Sequence, residues 1–225
     1  MLFNSFEFLV FFPIAVAVYF LLPRKIKYLW LLACSYYFYM GWNAKYALLL
    51  FASTAITFVS GVLIEYCEKK ELPTVRKKWV VAGSFILNLS MLVYFKYAEF
   101  FMSTVDRGLG LFGAKPLFSS VTLDIVLPVG ISFYIFQALS YTIDVYRGDI
   151  KAEKNFFKYA LFVSFFPQLV AGPIERSGNL LRQVNEIDKR RMWSYEGIIK
   201  GLILMLCLVI VVFLVVVLFL RLMLF

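Results

Sequence analysis

Long runs of apolar residues, separated by short polar loops, dominate the pattern along the chain. A helix of about 20 mainly apolar residues crosses the roughly 30 Å hydrocarbon core of a bilayer, so these runs are typical of membrane-spanning helices. None of them alternates with a period of two, which argues against barrel strands. The seven runs, numbered blocks one to seven, cover residues 6–22, 26–42, 46–66, 79–101, 125–141, 156–171 and 198–225. The pattern predicts an all-α fold, a polytopic transmembrane helical bundle.

Three prolines, Pro13, Pro128 and Pro167, lie inside these blocks or at their edges. Proline in a membrane helix is tolerated where the backbone groups that it frees face protein or water. We therefore expect several of the helices to be kinked or broken, and to be packed against other helices.

The composition agrees with a bilayer as the solvent. Of 225 residues, 62% are hydrophobic and 16% are charged, whereas a soluble domain has about 45–50% apolar and about 25% charged residues. Soluble globular and disordered proteins are thereby excluded. Because the chain has no histidine, its own residues cannot perform histidine-dependent acid, base or metal chemistry. We predict neither a catalytic residue nor a metal site within it.

The net charge of +9 comes mainly from Lys and Arg in short loops beside the blocks. Membrane topology and anionic headgroups account for such loops, so the expected partner is the lipid bilayer and not nucleic acid. The loops after blocks one, three and five carry three, five and four basic residues, whereas the N-terminal tail and the loops after blocks two and four carry none, one and two. The positive-inside rule therefore places the N-terminus outside.

Five basic residues after block six do not fit this alternation. Arg176, Arg182 and the three residues 189–191 would lie outside if block six crossed the membrane completely. Because block six is short for a full crossing, we expect a re-entrant segment that enters and returns on the cytoplasmic side, where it lines a cavity or is buried in protein. The alternative is a short true span with a local violation of the charge rule.

Polar residues in block five and around the expected re-entrant tip form the candidate site. In a membrane helix such groups face the bundle interior or a wet cavity and suggest function, although hydrogen bonding to neighbouring helices explains them equally well. Those of block five recur every three to five positions, which keeps most of them on one helical face. The candidates for a tunnel or substrate region are Ser132, Gln137, Tyr141, Asp144, Gln168, Gly172, Pro173, Glu175 and Arg176.

Other patterns have simpler interpretations. Ser53, Thr57 and Gly61 recur every four residues in block three, and small residues at that spacing let helices approach closely, so we interpret them as a packing face. A Gly-x-Gly-x-x-Gly string at residues 108–113 lacks the βαβ unit of a dinucleotide site, and we assign it to an outer loop. The three cysteines are far apart and are interpreted as unpaired packing residues.

Two longer motifs resemble a known family. They are Leu127-Pro-Val-Gly-Ile-Ser-Phe-Tyr-Ile-Phe-Gln-Ala-Leu-Ser-Tyr-Thr-Ile-Asp-Val-Tyr-Arg-Gly148 and Phe166-Pro-Gln-Leu-Val-Ala-Gly-Pro-Ile-Glu-Arg176. With the segments at 1–8 and 35–42, they are similar to the membrane-bound O-acyltransferase (MBOAT) family, in its bacterial alginate O-acetyltransferase branch. The resemblance covers about residues 1–200.

This resemblance implies a multi-pass enzyme of the bacterial inner membrane that moves an acyl group from a cytoplasmic donor to a hydroxyl outside. It implies acetyl-CoA or another acyl thioester as the donor, with no bound cofactor. The implied acceptor is a cell-surface polysaccharide such as alginate, or an extracytoplasmic protein that relays the acyl group. In the family a buried histidine, well downstream of residues 166–176, takes the proton from the attacking hydroxyl.

The chain departs from the family after the second motif. It contains no histidine, and after Gly201 the family's amphipathic segment is replaced by 19 apolar residues at 202–220. We therefore expect residues 1–200 to form the N-terminal part of the family's membrane domain and residues 201–225 a divergent apolar transmembrane segment. The chain would then be truncated relative to the family and inactive on its own. A non-enzymatic membrane transporter or scaffold subunit is the alternative.

Overall fold

The computed structural model describes residues 5–111, 128–169 and 177–187, together with 197, 199–201 and 203–204. The chain divides into two compact units, Met1–Asp188 and Lys189–Phe225, and the described residues of the second unit are helical. The elements described in the first unit are α1 (Phe6–Leu21), a 3₁₀ turn (Arg24–Ile26), α2 (Lys27–Met40), α3 (Ala44–Lys69), α4 (Thr74–Leu111), α5 (Ile131–Arg147), α6 (Phe156–Ser164), α7 (Phe166–Leu169) and α8 (Ser177–Asn185). The part of the chain that the structure describes is therefore all-α.

Short polar side chains explain where three of the helices begin. Ser5 Oγ accepts a backbone N–H at the start of α1 (3.2 Å), and Asn43 Oδ1 accepts one at the start of α3 (3.0 Å). At α6, Asn155 Oδ1 accepts two backbone N–H groups, at 3.0 and 3.3 Å. Each side chain replaces a hydrogen bond that the first turn of a helix cannot make internally.

The fifth helix differs from block five at both ends. It begins at Ile131, after Pro128 and the left-handed Gly130 (φ 73°), and not within the apolar run at residue 125. It then continues beyond the run to Arg147 and ends at Gly148, whose left-handed backbone (φ 80°) gives a glycine C-cap. Backbone conformation at two glycines, and not the apolar run, therefore sets the length of this helix.

One expectation about a loop is wrong, and the expected helix breaks occur at some of the prolines and not at others. α4 continues to Leu111, so Gly108 and Gly110 are helical and do not lie in an outer loop. α1 runs through Pro13 without interruption. Block six, in contrast, is broken at Phe165, where α6 ends and the short α7 begins.

One helix lies where the sequence pattern indicated only a basic loop. α8 buries Ser177, Leu180, Leu181 and Val184 on one face, and it packs against α5 and α6. Its apolar positions follow a helical period, but they are separated by polar residues and do not form a block. The element is therefore an amphipathic helix and not part of a membrane-spanning run.

The small residues of α3 form a packing face, as predicted. Ser53 Oγ donates to Asn88 Oδ1 of α4 (2.5 Å), and Thr57 Oγ1 accepts the hydroxyl of Tyr159 of α6 (2.8 Å). Gly61 lies directly against the ring of Tyr141 of α5. Because these contacts reach three different helices, α3 is the central element of the first unit.

The Ser53–Asn88 hydrogen bond gives a first prediction. Both residues are fully buried, so replacing Asn88 with leucine leaves the Ser53 hydroxyl without its acceptor. We expect Asn88→Leu to lower the free energy of unfolding by about 0.5–2 kcal/mol, the range measured for interhelical bonds in membranes. Denaturant titration in mild detergent, followed by tryptophan fluorescence, measures the change.

The double variant Ser53→Ala/Asn88→Leu is the control, because it removes donor and acceptor together. It should recover most of the loss seen for Asn88→Leu alone. Equal losses in the single and double variants would show that the bond does not couple α3 to α4.

In the described part of the chain, two helices are long and apolar enough to cross a membrane. They are residues Ala44–Lys69 of α3 and Thr74–Ala98 of α4. α1 is a shorter apolar helix of 16 residues. Length and composition therefore make the first unit suitable for a bilayer.

Candidate functional site

The first residues of α5 lie against the end of α7. A Cβ atom on Gly130 would overlap the backbone carbonyl oxygen of Leu169, and the backbone of Gly130 is left-handed. Only glycine combines that conformation with such a close approach. This contact joins the two family-like motifs, because Gly130 belongs to the first and Leu169 to the second.

Gln137 lies on the face of α5 that meets α6. Its side chain is 4% exposed, and its Nε2 donates to the backbone carbonyl of Phe162 at 2.9 Å. That carbonyl lies near the end of α6, where the last carbonyls of a helix have no intrahelical partner. Gln137 therefore stabilises the helix end that precedes the break at Phe165.

Tyr141, one helical turn further along, is completely buried. Its hydroxyl accepts the backbone N–H of Glu153 at 2.9 Å, which fixes the loop between α5 and α6. Its ring centroid lies 4.5 Å from that of Tyr159, and Gly61 contacts its other side. The side chain thus connects α3, α6 and the α5–α6 loop.

Asp144 and Ser177 join the far end of α5 to α8. The hydroxyl of Ser177 donates to the carboxylate of Asp144. Ser177 is the first residue of α8, so the carboxylate lies at the positive end of that helix, where negative charge is favourable. Asp144 therefore holds the start of α8 in place.

The remaining candidates are Ser132, Gln168 and four residues of the second motif. Ser132 accepts a long hydrogen bond from Lys96 Nζ of α4 (3.5 Å) at the exposed beginning of α5. Gln168 lies half-buried in α7, near Gly130 and away from Tyr141 and Asp144. Gly172, Pro173, Glu175 and Arg176 lie outside the described residues.

Sequence reasoning missed several polar residues that hold the site together. Ser35 Oγ of α2 accepts the backbone N–H of Phe166 at the break in block six (3.3 Å). Asn185 Nδ2 of α8 donates to Glu153 Oε2 of the α5–α6 loop (2.6 Å). Ser35 is a polar residue inside an apolar block and could have been found by the same criterion as Gln137. Asn185 could not, because α8 was not recognised.

A cavity of about 420 Å³ lies where α3 and α5 end. It is lined by the last turns of α3, by residues 145–148 and by the α5–α6 loop, and its charged side chains are Glu65, Glu68, Lys69, Lys151 and Lys154. Glu65 forms an ion pair with Lys69. The lysines come from two of the three loops that the charge pattern places on the cytoplasmic side.

The described hydrogen bonds of this region position helices and loops. The hydrogen bonds of Gln137 and Tyr141 go to backbone groups, which favours the structural interpretation of these two residues. The described residues contain no group of three side chains able to hold a metal ion.

Comparison with known proteins gives the relationship of the chain. It is 38% identical over 186 residues to a protein of Azotobacter vinelandii named "Probable alginate O-acetylase AlgI". It is 37% identical, also over 186 residues, to the protein of the same name in Pseudomonas aeruginosa. In both cases 82% of the chain is matched. The chain is a homologue of the alginate O-acetylases. This homology confirms the resemblance carried by the two motifs.

A relative of lower identity is found in Helicobacter pylori. That protein, named "Peptidoglycan O-acetyltransferase", is 30% identical over an alignment covering 91% of the chain. The chain spans only part of these relatives. It covers 36%, 35% and 42% of the lengths of the A. vinelandii, P. aeruginosa and H. pylori proteins. No family model and no solved structure matches it.

Proposed function

We propose that this chain forms part of a membrane O-acyltransferase. Such an enzyme transfers an acetyl group from a cytoplasmic acetyl thioester, such as acetyl-CoA, to a hydroxyl of a cell-surface polysaccharide or of an extracytoplasmic relay protein. The observation that carries the proposal is the homology to proteins named as alginate and peptidoglycan O-acetylating enzymes. The contact between Gly130 and Leu169, which joins the two motifs, supports it.

The chain is proposed to be a multi-pass protein of the bacterial inner membrane with its N-terminus outside. Contacts at one end of the helices support this orientation. Lys69 and Lys151, from the loops after blocks three and five, line one cavity. Lys158 of α6 lies over the ring of Tyr28, beside the basic loop after block one. Residues from all three loops that we expect to be cytoplasmic thus lie at the same end of the helices.

The path of the chain from α6 to α8 supports a re-entrant segment. α6 starts at the end of α5 where Tyr141 and Asn185 hold the α5–α6 loop through Glu153. α7 ends at Leu169, against Gly130 at the opposite end of α5. By Ser177 the chain is again beside Asp144.

Lengths along the chain agree with this path. From Gly130 to Asp144, α5 rises about 21 Å. The eight residues from Leu169 to Ser177 can extend to about 28 Å, enough to return over that distance. A segment that reaches about 21 Å into a core of roughly 30 Å must line a cavity or be buried in protein.

Catalysis is proposed to require a histidine from outside these 225 residues, which contain none. A neutral imidazole would take the proton from the acceptor hydroxyl as that oxygen attacks the acyl carbon. The contribution of this chain would be the helical frame and the cytoplasmic entry for the donor. The lysines of the 420 Å³ cavity supply positive charge that would attract the phosphates of a CoA thioester, which supports this role.

A hybrid protein tests the proposal. In it, residues 1–187 of this chain replace the aligned residues of the A. vinelandii relative, and the hybrid is produced in a strain that lacks that relative. We expect acetylated alginate, measured as acetyl groups released from the purified polymer. The isolated chain, incubated with acetyl-CoA and alginate, should show no turnover above background.

Immunoblots of the membrane fraction show whether the hybrid is inserted. A hybrid that is inserted but leaves alginate unacetylated would contradict the proposal and favour a transporter or scaffold. Turnover by the isolated chain would show that no external histidine is required.

A further inference from the structure

Three basic residues lie at the corner where α1 is followed by α2. Arg24, Lys25 and Lys27 lie in the 3₁₀ turn and the first turn of α2, which follow each other without a gap. Neither element has an acidic residue in its first turn or a side chain that caps its beginning. The free N–H groups and the dipole at the start of a helix favour anions and disfavour cations. The corner therefore concentrates positive charge where a helix already attracts a negative partner.

Lys27 distinguishes this corner from an ordinary basic loop. It is 3% exposed, whereas Arg24 and Lys25 are exposed. Its ammonium lies 4.5 Å from the ring centroid of Tyr19 and 5.7 Å from that of Phe20. In residues 5–111, 128–169 and 177–187, no carboxylate or hydrogen-bond acceptor is paired with Lys27. Aromatic faces attract a cation but accept no ordinary hydrogen bond, so the N–H donors of this ammonium remain for a partner that reaches the corner.

We propose that this corner binds the phosphate group of an anionic phospholipid. Lys27 would donate to the phosphate from its buried position beside the two aromatic rings. Arg24 and Lys25 would contact the phosphate from the solvent side. A phosphate offers several acceptor oxygens, and its negative charge would meet the start of the helix.

The surroundings favour a lipid as the source of the phosphate. Leu21, just before the corner, is 82% exposed and Ile26, within it, is 46% exposed, so apolar surface for acyl chains adjoins the charges. Tyrosine rings such as that of Tyr19 are typical of the headgroup level of a bilayer. Loop charge alone reports topology and does not require burial of a lysine. The site depends on membrane residence and not on the proposed acyl transfer.

Lipid binding to the full chain in delipidated neutral-detergent micelles tests this inference, with native mass spectrometry as the readout. The probes are phosphatidylglycerol, phosphatidylcholine and inorganic phosphate. We expect phosphatidylglycerol to bind more tightly than phosphatidylcholine, because the choline cation opposes the basic cluster. Lys27→Met should weaken phosphatidylglycerol binding by about tenfold or more, the scale of a hydrogen bond to a charged group.

Lys45→Met is the matched control, since Lys45 is an exposed basic residue at the start of a different helix, α3. It should leave phosphatidylglycerol affinity unchanged. A folded Lys27→Met protein with wild-type affinity would overturn the inference. If inorganic phosphate competes at concentrations as low as the lipid does, the site binds free phosphate and the lipid assignment is wrong.

A second variant covers the case in which Lys27→Met does not fold. Arg24→Ala/Lys25→Ala changes only exposed side chains, and we expect it to weaken phosphatidylglycerol binding by about fivefold or more. Unchanged affinity in that variant would overturn the inference by itself.

Discussion

Gly130→Ala should destabilise the protein by about 2–5 kcal/mol, more than any other substitution considered for this chain. Two costs combine. An L residue in the left-handed conformation of Gly130 (φ 73°) costs about 1–2 kcal/mol. The new Cβ would also overlap the carbonyl oxygen of Leu169, which is backbone and cannot rotate away. Relief of that overlap requires α7 to move away from the start of α5.

Gly148→Ala separates these two costs. Gly148 is also left-handed (φ 80°), but no atom of the described residues lies within 4 Å of where its Cβ would be placed. We expect Gly148→Ala to lower the free energy of unfolding by the conformational cost alone, about 1–2 kcal/mol. Denaturant titration of both variants in the same detergent measures the difference. Equal losses would mean that the Gly130–Leu169 approach contributes nothing to stability.

Gly61→Ala should cost about 1–3 kcal/mol, the usual range for overpacking a core. Its Cβ would lie 2.8 Å from Cε1 of Tyr141 and 2.9 Å from the hydroxyl oxygen. The tyrosine has little freedom to move, because its hydroxyl holds the N–H of Glu153 and its other face meets Tyr159. The clash therefore extends to the α5–α6 loop.

Gly83→Ala is the matched control for Gly61→Ala. Gly83 is also helical, in α4, and in the part of the chain that the structure describes no atom lies within 4 Å of its Cβ position. Alanine is a better helix former than glycine by about 1 kcal/mol, so Gly83→Ala should be neutral or stabilising. Faster proteolysis within residues 149–155 of the Gly61→Ala protein would locate the damage. A stable Gly61→Ala protein would show that Tyr141 can be displaced at no cost.

Hydropathy predicted the first four helices of the chain, because each of the first four apolar blocks overlaps one of them. It did not predict the length of α5, since Gly130 and Gly148 end the helix through their backbone conformation. It also did not predict α8, whose buried Leu180, Leu181 and Val184 are separated by polar residues. Apolar runs locate segments suited to lipid, but they do not reveal amphipathic helices.

The candidate site was likewise predicted only in part from the sequence. A polar face on α5 was predicted, and its members Gln137, Tyr141 and Asp144 do connect α5 to its neighbours. Their partners could not be predicted, because two of them are backbone groups, the carbonyl of Phe162 and the N–H of Glu153. Any residue offers such groups, so no pattern of side chains marks where they will be used.

The length of α4 has a consequence for the shape of the membrane-exposed surface. Its 38 residues rise about 57 Å, whereas a bilayer with its headgroups is about 40–45 Å thick. Confinement within 45 Å would need a tilt of about 38°, near the upper limit seen for membrane helices. In a more upright position, the turns around Asp106 and Arg107 extend beyond the headgroups into water. They do so on the side of the bilayer opposite the α3–α4 connection. In the proposed orientation that side is the compartment where a polysaccharide chain would arrive.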